Sequence, residues 1–439
     1  MIDVLSDRTY RHLFLAQVIA LLGTGLATVA LSLLAFDLAG ASAGAVLGTA
    51  LAIKMVAYIG VAPIAAAFAE RLPRRALLVT LDLARAAVAL LLPFVTQIWE
   101  IYVLIFVLQS ASAAFTPTFQ ATLSDVLPDE RDYTKALSLS RLAYDMESLA
   151  SPALAAVLLT VVSYPQLFGG TVIGFVASAV LVVSVVLPRA VAPPRRSIYE
   201  RTTRGLRIYL ATPRLQGLLA LNLAIAAGSA MVIVNTVVLV QSGFGLTQEA
   251  TAAALAAFGA GSVLVALALP RLLDRLPERR VMLTGAGLIA AGLPVGSVVV
   301  RSYAALLPLW FVLGLGYSLA QTPSGRLLRR SSQPVDRPAL FAAQFALSHA
   351  CWLLTYPLAG WLGAAAGLTT SFIVLAMLAG AAVGLATRLW PRDDPQSLEH
   401  RHDDLGCEHP HVAVGTTETA ELRHSHAFVI DDDHPRWPS

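Results

Sequence analysis

Charge is scarce in this chain. Of its 439 residues, 13% are Asp, Glu, Lys or Arg, against 56% hydrophobic residues. A soluble domain carries about 25% charged residues. With so few, the chain cannot cover a water-facing surface, and most of it is expected to face lipid. The net charge of +3 is small, so composition gives no support for nucleic-acid binding. Cysteine is nearly absent. Cys351 falls in an apolar stretch and Cys407 in a polar tail, which argues against a structural disulfide. No phosphate-binding loop, nucleophile–base set or closed metal site is present, which argues against an enzyme and a resident cofactor. A cleavable leader is not expected either. The apolar run from Phe14 to Phe36 is longer than a signal h-region and has no small-residue cleavage site behind it.

What the chain has in abundance is long apolar runs. A helix needs about 20 apolar residues to cross the hydrocarbon of a bilayer. Such spans read near 13–37, 43–69, 76–96, 98–124, 135–162, 165–187, 215–242, 248–270, 281–300, 304–328, 338–363 and 368–390. A polar stretch follows the sixth. The expected organisation is an N-terminal six-helix half (1–187), a basic cytoplasmic linker (188–214), a C-terminal six-helix half (215–390) and a tail (391–439). The even-to-odd loops hold Arg71, Arg74, Arg75, Arg131, Lys135, the arginines from 189 to 214, Arg271, Arg275, Arg279, Arg280, Arg329, Arg330 and Arg337. The opposite loops hold Arg301 alone. Lys and Arg mark cytoplasmic loops, so both termini are expected in the cytoplasm.

The two halves repeat. Glu70-Arg-Leu-Pro-Arg-Arg75 follows span two, and Asp274-Arg-Leu-Pro-Glu-Arg-Arg280 follows span eight, at an offset of 204 residues. Thr116-Pro117 returns as Thr322-Pro323, and Pro128 as Pro334, both at an offset of 206. Two such halves are the signature of a transporter with parallel repeats. The loop after span two, with Ala66, Glu70, Arg71, Pro73, Arg74 and Arg75, resembles the Gly-x-x-x-Asp-Arg-x-Gly-Arg-Arg motif of the major facilitator superfamily. Glu replaces the Asp, and Ala and Pro replace the glycines. The resemblance covers roughly residues 10–390. It implies an all-α membrane protein with the major facilitator fold, twelve transmembrane helices in two six-helix halves, working mostly as a monomer. It also implies a cytoplasmic gate of Glu70, Arg71, Arg74, Arg75, Asp125, Asp274 and Arg275, pairing across the halves, with Asp125 a candidate partner for Arg71. The alternative is that these charges only obey the positive-inside rule.

Ionisable residues at mid-bilayer are costly and mark function by default. Lys54, Asp145, Glu147 and His349, with Cys351, all fall ten to thirteen residues into spans two, five and eleven, roughly 16 Å deep at 1.5 Å per residue. Residues two apart sit about 200° apart on a helix. Asp145 and Glu147 therefore cannot both face one cavity, and neither can His349 and Cys351. Asp145 could instead pair with Arg141 on its own helix, Cys351 could be a buried small residue, and His349 a satisfied interior histidine. Lys54 could neutralise a carboxylate or titrate during transport. Spans one, four, seven and ten line the cavity in the superfamily. Here they hold Gln17, Thr24, Gln109, Ser112, Thr116, Gln120, Asn222, Asn235, Tyr317 and Gln321. Of these, Gln109 and Gln321 join the expected substrate or proton pathway. The run Glu147-Ser-Leu-Ala-Ser151-Pro152-Ala-Leu-Ala155-Ala156 resembles the superfamily's antiporter motif and leans towards export.

Seven of the nine histidines lie after Arg392: His400, His402, His409, His411, His424, His426 and His434, with Cys407 among them. The segment is polar and acidic and reads as disordered. Imidazole and thiolate are ligands of Ni, Co, Zn and Cu, so a reversible metal-binding string is expected; the alternative is a low-complexity solvated tail. Joined to the core, the tail resembles that of the bacterial nickel/cobalt-resistance exporters. That resemblance implies efflux of a small divalent cation across the bacterial plasma membrane, driven by proton antiport. The competing expectation is an exporter of a drug or siderophore-like molecule with a regulatory tail.

Overall fold

The computed structural model describes residues 2–69, 72–127, 129–187, 198–299, 301–333, 336–394, 398–401, 423–426, 428–431, 434 and 437. The described residues form fourteen α-helices. The first half comprises α1 (Arg8–Ala39), α2 (Ala43–Ala69), α3 (Arg74–Leu91), α4 (Ile98–Val126), α5 (Glu130–Leu158) and α6 (Tyr164–Val183). A short helix, α7 (Ile198–Ala211), precedes the second half. That half comprises α8 (Pro213–Val237), α9 (Gln248–Leu273), α10 (Glu278–Val299), α11 (Tyr303–Gln321), the seven-residue α12 (Ser324–Arg330), α13 (Arg337–Ala366) and α14 (Leu368–Leu389). The two short helices aside, this is the twelve-helix, two-half bundle expected from the sequence. Among the described residues, ten segments are long and apolar enough to span a membrane, the first of which runs through α1 into α2.

Local chemistry sets the helix ends. Asp7 caps α1 by accepting the Tyr10 amide at 2.7 Å. Gln97 with Glu100, and Ser163 with Gln166, form capping boxes that start α4 and α6. Each satisfies amides that a first turn leaves unpaired. Gly367, at φ +85°, ends α13 and starts α14, a conformation that costs glycine no steric penalty.

Small residues set how closely the halves approach. On α2, Gly44 meets the backbone at Gly360 of α13, and a Cβ on Gly48 would lie 2.5 Å from the Tyr356 carbonyl oxygen. The Trp361 indole donates to Thr49 Oγ1 at 3.0 Å across the same seam. These residues sit at the N-terminal end of α2 and the C-terminal end of α13, opposite the arginine-rich loops. The second seam between the halves runs along α5 and α9.

Two sequence expectations change here. Residues 188–197 of the basic linker lie outside the described residues, but the rest of it is helical. On α7, Ile208 and Tyr209 are buried, Tyr209 Oη donates to Gln344 Oε1 at 2.5 Å, and Arg204 pairs with Asp336. Alternation of apolar and basic residues gives the helix one face to dock on α13. Arg214 belongs to α8 and is 3% exposed.

The tail, expected to be disordered, has structure in its described parts. Residues Leu398–Arg401 (β1) and Arg423–His426 (β2) form an antiparallel pair. Phe428 and Ile430 join the main core, the Arg214 guanidinium donates to the Phe428 carbonyl at 3.2 Å, and the same cation lies 4.9 Å from the Trp437 ring centroid. Three apolar side chains near the C-terminus supply an anchor that bulk polarity hides.

Candidate functional site

Lys54 sits 11 residues after the first residue of α2, about 16 Å along its axis. Its ammonium is 5.8 Å from the Tyr58 ring centroid, one turn on. Tyr58 stacks on His349 of α13, with centroids 5.4 Å apart and planes within 10°. Phe345 packs on His349 at 3.9 Å and on Tyr58 at 5.8 Å, so the three rings form one cluster. Glu147 of α5 and His349 both lie within electrostatic range of Lys54. The three residues lie deep among helices yet keep some accessible surface, so they border a void rather than fill packed core.

The histidine's protons are settled by its neighbour. Nδ1 lies 2.7 Å from the Phe345 carbonyl oxygen, which can only accept. The neutral ring therefore carries its hydrogen on Nδ1 and leaves Nε2 as a lone-pair base. Among the described residues neither Lys54 nor Glu147 makes an ion pair or hydrogen bond of contact length. Gly25 of α1 lets the carboxylate approach: a Cβ there would collide with Ser151 and lie 2.9 Å from Glu147 Oε1. A small pocket beside Lys54 has a mostly apolar wall, Leu31, Leu51, Leu108 and Phe175 among it, with Thr24, Thr28, Gln109 and Ser112 as its polar groups.

The remaining expected pathway residues are placed differently. Cys351 is buried, with Tyr209 as its electrostatic neighbour, so it and His349 serve different sides of α13, as their spacing requires. Gln321, half-buried at the end of α11, does not line the pocket. The side chain of Asp145 lies outside the described residues. Gln17, Asn222 and Asn235 are buried and spend their amides on packing: Gln17 on Ser140, Asn222 on Gln344, and Asn235 on the Ala359 carbonyl.

A second polar cluster was not singled out from sequence. Asp82 of α3 is 0% exposed, accepts from Ser178 Oγ at 2.8 Å and pairs with Arg85 one turn on. The Arg85 guanidinium lies between the Phe115 and Phe175 rings, 4.1 and 4.5 Å from their centroids. Phe175 is also a wall of the pocket beside Lys54. The signal in the sequence is an opposite-charge i,i+3 pair inside an apolar run.

At the arginine-rich end, Glu70 and Arg71 lie outside the described residues. Asp125 is met by Arg74, at 2.8 Å; its expected partner Arg71 lies outside the described residues. Arg75 donates to the Val183 carbonyl of its own half. Asp274 and Arg275 are exposed and form no ion pair among the described residues; the acid that pairs is Glu278, 2.8 Å from Arg326 and 3.5 Å from Arg330. Among the described residues no ion pair joins the two halves, and Glu70 and Arg71 of the expected gate lie outside them. The loops instead tie each helix start to its own half. Arg330 and Arg214 also pair with Asp394.

Of the metal residues expected in the tail, His402, Cys407, His409 and His411 lie outside the described residues. His400, His424 and His426 lie in the strand pair. His434 is 3% exposed, edge-on to Phe428, with Nδ1 2.8 Å from Asp431 Oδ1. It is part of the tail's docking contact and not of an open ligand string.

Comparison with known proteins agrees with this architecture. The bacterial protein YfiS of Bacillus subtilis (strain 168), described as an uncharacterised MFS-type transporter, is 24% identical over 289 residues, covering 62% of this chain and 67% of that protein. Among solved structures, a bacterial homologue of the human lysosomal transporter Spinster, inward-facing and occupied, matches with a TM-score of 0.67 at 12% identity over 87% of this chain and 96% of the other. The nucleoside transporter NupG matches with a TM-score of 0.61 at 13% identity, over 87% and 98%. The sequence profile of the Major Facilitator Superfamily matches residues 13–255 and 218–428. The chain belongs to that superfamily of membrane transporters, and not to a family of enzymes.

Proposed function

We propose that this transporter exports divalent metal cations, of the nickel and cobalt kind, in exchange for protons. The observation that carries the reading is the convergence of Glu147 and His349 on Lys54, from α5 of one half and α13 of the other. A carboxylate and an imidazole nitrogen are ligands of first-row metals, and His349 Nε2 is free to serve. Lys54 supplies the coupling. With the site empty, its ammonium balances Glu147. A divalent cation beside Glu147 makes a second positive charge at that depth costly, so the lysine releases its proton. Reprotonation then favours release of the metal, because linkage is reciprocal. Ligands from both halves tie this exchange to the rocking of one half against the other. By the positive-inside rule, the arginine-rich end and both termini face the cytoplasm of a bacterial plasma membrane.

The test is growth of a metal-sensitive bacterium expressing the protein across Ni, Co, Zn, Fe and common antibiotics. Tolerance to Ni or Co rises, and Glu147→Gln abolishes the gain while membrane protein levels match wild type. Unchanged metal tolerance with raised drug tolerance overturns the reading. That outcome belongs to a second reading, export of a small organic molecule, which is favoured by the mostly apolar pocket beside Lys54, with Thr24, Thr28, Gln109 and Ser112 as its polar groups.

A further inference from the structure

We propose that the cavity between the first turn of α10 and the exit of α14 binds the headgroup phosphate of an anionic membrane lipid. The cavity has a volume of about 410 Å³, and Arg279, Arg280, Arg330 and Arg392 form much of its wall. Glu278, Asp393 and Asp394 share that wall, so the sign of the site depends on which charges are already spent.

Most of the acid is spent. Glu278 is held by Arg326 and Arg330, and Asp394 by Arg214 and Arg330. The Trp390 indole also donates to Asp394 Oδ2, at 3.0 Å. Two carboxylates thus meet three guanidiniums. Arg279 donates through Nε to the Trp390 carbonyl at 3.0 Å and through a terminal nitrogen to the Thr387 carbonyl at 3.2 Å. Those oxygens fix the side chain but carry no net charge, so they leave its positive charge uncompensated. Among the described residues Arg280 and Arg392 make no ion pair or hydrogen bond. Against Arg279, Arg280 and Arg392 the cavity sets only Asp393. The surplus is positive, and the first turn of α10 adds to it, because the amides of a helix start favour an anion. Guanidinium groups meet phosphate through paired, charge-assisted hydrogen bonds, which makes phosphate the matching anion.

Position selects its source. The spans Glu278–Val298 and Leu368–Leu389 are long and apolar enough to cross a membrane. The cavity lies where the first begins and the second ends, at the depth of lipid phosphates. This is the arginine-rich end, cytoplasmic by the positive-inside rule, and basic pockets between spans on that side suit anionic headgroups. On α14, Ile373, Met377, Ala381 and Leu385 are exposed in steps of four, one ridge of the helix. The ridge runs to the end that borders the cavity. A lipid whose phosphate sits among the arginines can lay an acyl chain along it, and a free phosphate ion has no use for it. The bound headgroup bridges the start of α10, Arg330 of α12 and the residues after α14, and so adds to the contacts that hold this half together. The site does not depend on what the transporter carries.

The test uses the purified full-length protein in nanodiscs of phosphatidylcholine, with or without phosphatidylglycerol. Phosphatidylglycerol raises the melting temperature, and native mass spectrometry finds one molecule of it retained. Arg280→Gln and Arg392→Gln each cut its affinity about fivefold, while melts in phosphatidylcholine alone match wild type and show that the variants are folded. Arg388→Gln, an exposed arginine on the last turn of α14 outside the cavity wall, leaves the affinity unchanged. An equal loss with Arg388→Gln overturns the site in favour of diffuse surface attraction. The same stabilisation from inorganic phosphate in phosphatidylcholine discs overturns the lipid as its source. A wild type that melts alike in both lipids, with no phosphatidylglycerol retained, overturns the proposal outright.

Discussion

A buried charge is a different object when it is satisfied and when it is not, and this bundle contains both kinds. Asp82 and Arg85 neutralise each other, with Ser178 and two aromatic rings taking up the remainder. Among the described residues Lys54 has the face of the Tyr58 ring at 5.8 Å and a distant Glu147. Removing one partner of a buried pair strands the other, at about 3–5 kcal/mol, while removing both together is often close to neutral. Asp82→Asn and Arg85→Met are therefore expected to lower the detergent melting temperature singly, and the double variant to recover most of the loss. Lys54→Met behaves oppositely, raising the melting temperature while abolishing transport. Equal destabilisation by all three single substitutions would erase the distinction. Lys54 and His349 were legible in the sequence because each interrupts an apolar run, and Glu147 because with Asp145 it puts charge at mid-span. Tyr58, which bridges two of them, is an ordinary aromatic residue in a span. Its role comes from α2 and α13 lying side by side, which no local pattern encodes.

Helix against helix, the interface is set by the residues that are missing side chains. Gly44 and Gly48 of α2 and Gly360 of α13 let two backbones touch, the close approach that small residues permit between membrane helices. Valine at position 360 has no room there. Gly360→Val is expected to part the halves at this end and shift the population towards the opposite conformation. A thiol reagent that cannot cross the membrane would then label a Thr49→Cys reporter faster than in the glycine parent. An unchanged labelling rate would mean that the seam is not what holds this end shut. The twelve long helices were readable to within a few residues, because apolar length and loop charge are local. The docked end of the tail was not. Its anchor is Phe428, Ile430 and Trp437 scattered among acidic and histidine residues, and an average over the segment reports only polarity. The helical linker lay between these cases: Ile208 and Tyr209 beside Arg204 and Arg207 give α7 an amphipathic pattern, in a stretch that reads first as a run of arginines.

Across the whole molecule, the internal repeat conserves position but reverses charge. At the 204-residue offset Arg74 corresponds to Glu278. Arg74 ties the start of α3 to Asp125 near the end of α4; Glu278 ties the start of α10 to Arg326 and Arg330 of α12. The sequence repeat directs attention to Glu70 and Asp274, the acids of the shared motif, whereas the described ion pairs use the residues four positions later. Each half thus carries its own clasp, and rigid halves are what rocking requires. A clasp within one half has a signature that a clasp between halves lacks. Arg74→Asp and Asp125→Arg should each cut transport by about tenfold, and combining them should restore most of it, a coupling approaching about 2.7 kcal/mol, within the range for residues in contact. Exchanging Arg74 with Glu278 by Arg74→Glu and Glu278→Arg should restore nothing, because each substituted residue would then face a like charge, Asp125 on one side and Arg326 with Arg330 on the other. Rescue by the second exchange and failure of the first, measured as uptake into inverted vesicles, would show that these charges pair between the halves instead.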